Sequence, residues 1–194
     1  MHDSLLRDVA FWWFLLGIDR DFAQRARENA CPCGGHLHAG NYFRNPRGGP
    51  DGLPKECCLR LSLCCGREGC RKRRTPPSVR FLGPKVYLLS VIFLAAAMLQ
   101  GPSPRAMREL GTLFGADRRT IARWQVLWQE HFPQTGFWKV ARARLPRSHE
   151  ATSLPRALME AFFTSHNPRD DWERLLRFLA PITIGDDLAV ALRR

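Results

Sequence analysis

Cys64-Cys65-Gly66-Arg67-Glu68-Gly69-Cys70-Arg71-Lys72-Arg73-Arg74 closes a turn between thiols and runs straight into a basic strip. Upstream, Cys31-Pro32-Cys33-Gly34-Gly35 has the same order: thiol, short turn, thiol, glycine. Structural zinc usually takes four ligands, two from each of two tight turns. Cys31 and Cys33 offer the first pair. Cys70 anchors the second, with Cys65 as its mate, or Cys64 in its place. Strand alternation sends Cys64 and Cys65 to opposite faces, so one of the two is expected to be a ligand. The expected set is Cys31, Cys33, Cys65 and Cys70 around Zn2+. His36 and His38 stay open as replacements, and Cys57 and Cys58 read as core residues. The competing reading is free thiols packed as small hydrophobes. A catalytic zinc would keep an open position beside a general base. A redox dithiol at Cys31 and Cys33 lacks the strand-then-helix context of such sites.

Residues 31–83 around these cysteines read as a small β zinc-ribbon-like module. Glycines and prolines, among them Gly34, Gly35, Pro46, Gly48 and Pro54, break any helix there. Residues 37–44 suggest a short strand or hairpin, and residues 58–64 alternate with period two as one strand. Pro76 and Pro77 keep residues 75–82 extended.

Residues 84–132 read as a three-helix helix-turn-helix. Residues 85–99 form its first helix, residues 104–110 the second, and residues 111–116 the turn. Asp117 caps a third helix that runs to about His131. At the helical repeat, Ile121, Trp124 and Trp128 share one face and Arg119 and Arg123 lie opposite. That arginine pair is placed to enter a major groove. Arg118 and Thr120 at the helix start are placed for phosphates, helped by the backbone amides there. Arg71, Lys72, Arg73 and Arg74 would add sequence-independent phosphate contacts. The bland alternative is that these charges only solvate a bundle.

The flanks are helical too. Residues 1–30 hold an aromatic helix over 4–16, and Asp19 is placed to cap a second one over 20–29. Gly17 as a mere kink in a single helix is the alternative. Phe11, Trp12, Trp13 and Phe14 would close the core, or else anchor a partner. Residues 133–194 form a helical tail with stretches over 137–145, 154–165 and 169–179. The fold class is therefore mainly α with a small β module.

The chain of 194 residues can bury one sizeable core and a metal-stapled module. Lys plus Arg total 30 against 18 Asp plus Glu, a net +12 with pI near 10.3. Such an excess points to a polyanion, nucleic acid first and an anionic membrane surface second. Seven cysteines without a leader-like N-terminus point to a reducing cytoplasm and a metal rather than disulfides. The apolar run over residues 86–99 falls short of the roughly 20 residues of a membrane span.

In its order of parts, residues 30–132 resemble a family of bacterial transposase-like proteins. Cys31-Pro32-Cys33-Gly34, residues 64–71, and Thr75-Pro76-Pro77-Ser78-Val79-Arg80-Phe81-Leu82-Gly83 carry the resemblance. The layout is also similar to the short zinc-finger plus helix-turn-helix proteins of insertion sequences. The spacing of Cys31 and Cys33 is one residue tighter than the commoner C-P-x-C. The resemblance implies double-stranded DNA as partner and a role as transposase accessory or regulator. A separate transposase and a second copy of the chain are open as further partners. A protein-interaction module and a remnant of a transposase are the alternatives.

No catalytic residues are expected. A transposase needs carboxylates that hold two metal ions. Here Asp170-Asp171 and Asp186-Asp187 are the acidic pairs, and helix-end placement accounts for them. No phosphate-binding G-x-x-x-x-G-K-[ST] loop occurs.

Overall fold

The computed structural model describes residues 5, 7–44, 46–48, 52–82, 89, 93, 104–145 and 154–184. They are mainly helical, with small antiparallel sheets. Helix α1 spans Val9–Glu28 without interruption. This corrects the expected pair of helices, because Gly17 is simply a helical residue. The Asp8 carboxylate caps α1 by accepting from the Ala10 amide at 2.9 Å. Phe11, Trp12, Leu15, Leu16 and Ile18 are buried, while Trp13 is 42% exposed.

Asp19 does not cap a helix. It is buried in mid-α1 and accepts from Ser78 Oγ at 2.6 Å, the Val79 amide at 2.7 Å and Arg80 Nε at 2.9 Å. The other arm of Arg80 donates to the carbonyls of Cys57 and Leu59. Ser78 in turn donates its amide to Thr183 Oγ1 at 3.0 Å. A buried ion pair persists when its remaining donors and acceptors find partners. Here they do, and the knot ties α1, the cysteine module and the chain beyond residue 180 together.

The cysteine module holds strands β1 (Leu37–Ala39), β2 (Tyr42–Phe43), β3 (Leu59–Arg60), β4 (Leu63–Cys65) and β5 (Arg73–Arg74). One antiparallel sheet has the order β1-β4-β5, and β2 pairs with β3 in a second. The expected single strand over 58–64 is therefore two, broken at Leu61 and Ser62. The Asn41 side chain takes the Ser62 amide there at 3.1 Å, so the chain changes partners between the sheets.

Helix α2 is Pro104–Phe114, opening with a proline that needs no amide partner in the first turn. The helix expected over 104–110 runs on through Gly111 to Phe114, so the turn expected over 111–116 is shorter and centres on Gly115, at φ +59°. Gly111 serves instead as a close approach, since a Cβ there would lie 2.7 Å from the Ala116 carbonyl oxygen. Helix α3 is Arg118–Val126, capped by Asp117 through the Thr120 amide at 2.7 Å. A π-turn, Leu127–His131, carries it on as far as expected. The first of the three expected helices lies outside the described residues except at Leu89 and Phe93, which are helical and buried.

Helices α4 (Gly136–Ala141), α5 (Arg156–Phe162) and α6 (Pro168–Leu179) complete the tail. The Asp186-Asp187 pair lies outside the described residues. Asp171 is buried, where it accepts from the Ser165 amide and pairs with Arg174. One core joins Phe11 and Trp12 of α1, Phe81, Phe93, Ile121 and Trp128, and Trp172 of α6. Phe93 sits edge-on between Trp128 at 5.2 Å and Trp172 at 6.1 Å. A second, smaller cluster of Ala26, Cys31, Leu37, Leu63 and Cys65 lies under the module.

Candidate metal centre

Two turns bring four thiols together. In the first, the Gly34 amide donates to the Cys31 carbonyl at 2.7 Å and the Cys31 amide to the Gly35 carbonyl at 3.1 Å. Gly35 lies so close to the site that a Cβ on it would stand 2.6 Å from Cys65 Sγ. In the second turn, the Cys70 amide donates to the Arg67 carbonyl at 3.1 Å. The Arg67 amide donates to Cys65 Sγ at 3.4 Å, and its guanidinium reaches back to the Cys33 carbonyl. Arg67 and Gly35 thus shape the site, although only the glycine leaves a mark in the sequence, as the residue closing the first turn.

The sulfurs of Cys31, Cys33, Cys65 and Cys70 all lie within 4.8 Å of one another and can hold a metal ion. Cys31 and Cys70 are 3.8 Å apart, Cys33 and Cys65 3.5 Å. The tight Cys31–Cys33 spacing therefore does not prevent the pair from converging. Cys64 points away from the cluster, and its sulfur approaches the Arg71 carbonyl at 3.5 Å. His36 and His38 are exposed and take no part, and Cys57 is buried in the main core.

The thiols do not ionise alike. The Gly35 amide, followed by the neighbouring cysteines, brings Cys33 down to about 6. At Cys65 the Arg67 amide pulls downward, but burial and the other thiols outweigh it and leave the group at about 12. Cys31 is raised as well: the Cys33 amide lowers it, and burial with neighbouring thiols more than offsets this. One thiolate, that of Cys33, is thus ready near neutral pH, while a metal would have to displace protons from Cys31 and Cys65.

Beside the cluster, Arg71, Lys72, Arg73 and Arg74 are all exposed. The Arg73 guanidinium lies over the Tyr42 ring, 5.6 Å from its centroid. Arg74 reaches the Ala30 carbonyl at 3.5 Å. On α3, Arg118, Arg119 and Arg123 are exposed, Thr120 is half-buried, and Ile121 and Trp124 are buried, as is Trp128 in the π-turn that follows. The amide of Thr120 is already taken by Asp117. One of the backbone amides at the start of α3 is thus already engaged by the capping carboxylate.

The chain matches no protein-family model, no curated protein and no solved structure. Among the described residues no helix is long and apolar enough to cross a membrane.

Proposed function

We propose that the chain is a zinc-stabilised, sequence-specific DNA-binding protein with a zinc-ribbon-like module and a helix-turn-helix. The thiol cluster carries the reading. A zinc–sulfur bond of about 2.3 Å in a tetrahedron implies sulfurs about 3.8 Å apart. The separations of 3.8 and 3.5 Å fit that geometry. An all-thiolate tetrahedral set also suits iron, so metal analysis of the purified protein decides the ion. One equivalent of zinc supports the reading, and a coloured iron protein redirects it.

DNA binding is supported by the net +12 and by exposed arginines on both α3 and the 71–74 strip. Gly111 packed against Ala116, then the Gly115 turn and capped α3, supports the helix-turn-helix. A role in a mobile element, as transposase accessory or regulator, rests on the resemblance in layout. Fluorescence anisotropy with a random duplex and a duplex from the DNA flanking the gene, over a salt series, tests the proposal. Tighter binding to the flanking duplex at moderate salt supports it. Equal, weak and steeply salt-dependent binding to both would reduce the chain to a generic basic protein.

A further inference from the structure

Strand β2 presents two aromatic rings to solvent: Tyr42 is 36% and Phe43 66% exposed. Among the described residues, β2 pairs only with β3, so its outer edge is free. Neighbouring strand residues face opposite sides, and a chain crossing that edge would meet one ring on each side. Arg73 ties this ribbon to the basic strip, because its guanidinium lies over Tyr42 while Arg71, Lys72 and Arg74 stand exposed alongside. A phosphate backbone is the complement of such charge.

Rings interleaved with cations suit unpaired bases, which stack on aromatic faces while arginines neutralise the phosphates. A duplex hides its base faces and offers these rings little. The exposed arginines of α3 are arranged instead for base edges in a groove. We infer that Tyr42 and Phe43, with Arg73, form a stacking platform for single-stranded nucleic acid, distinct from the duplex-binding face of α3. The inference rests on nucleic acid being the partner, but not on α3.

The test is anisotropy of the full, metal-loaded chain with fluorescein-labelled oligo(dT) and with a duplex of the same length taken from the DNA flanking the gene. Tyr42→Ala with Phe43→Ala should raise the single-strand Kd about fivefold or more for each base that no longer stacks. Its duplex Kd should stay within about twofold, and Tyr42→Phe should behave as wild type. Arg119→Ala with Arg123→Ala should give the reverse pattern. Circular dichroism and metal content establish that the variants are folded. Equal weakening on both probes, or unchanged oligo(dT) binding, would overturn the platform and leave the duplex reading standing. Oligo(dT) binding that depends on the rings, with no duplex binding at all, would keep the platform and remove α3 from DNA. Failure to bind either probe would end both.

Discussion

Cys64 and Cys65 are adjacent, yet one faces the thiol cluster and the other a carbonyl outside it. Cys65→Ser should therefore abolish stoichiometric metal binding, while Cys64→Ser should retain a full equivalent by elemental analysis. Metal affinity should climb as pH rises through neutrality, because Cys65 near 12 and the raised Cys31 hold protons that the metal must displace. Competition with a chromogenic chelator at several pH values reads this, and affinity that falls with pH would remove these thiols as ligands. Glycine spacing and strand alternation make the thiol set legible in the sequence. Asp19 is not legible, because a capping aspartate and a buried one look alike locally. Its partner Arg80 is brought alongside only by the tertiary fold. Asp19→Ala should cost about 3–5 kcal/mol in urea unfolding, since it strands the buried Arg80 charge.

Helix α3 is the element that its own sequence specifies best. Its cap, its buried face of Ile121 and Trp124, continued by Trp128 in the π-turn, and its exposed arginines all follow from the helical repeat. Helix α2 reads too short from sequence alone because glycine usually ends helices. Gly111 is instead needed for contact with the next turn, and that need arises only once α2 and α3 pack. Arg119→Ala with Arg123→Ala should leave thermal unfolding unchanged and lower discrimination between cognate and random duplex by about 1–3 kcal/mol per base contact. Undiminished discrimination would take α3 out of the groove. Neutralising residues 71–74 should weaken binding to all duplexes alike. The slope of log K against log salt should flatten by about 0.9 for each phosphate that the variant leaves unneutralised.

At the scale of the whole molecule, the small cluster beneath the sheets is separate from the large helical core. Its handful of side chains is too few to hold the module without help. Chelation should thus abolish the protection of sheet amides in hydrogen exchange while most helical ellipticity remains. Cooperative loss of both would show that the metal supports the entire fold. The shared core has an equally direct consequence for breakage. Phe11, Trp12 and the other buried residues of α1 pack with residues from beyond the cysteine module, and the Asp19–Arg80 knot spans the same gap. A metal-stripped chain nicked by trypsin along residues 71–74 would therefore run as two bands on a denaturing gel yet elute as one species from a sizing column. The severed halves would go on behaving as a single particle.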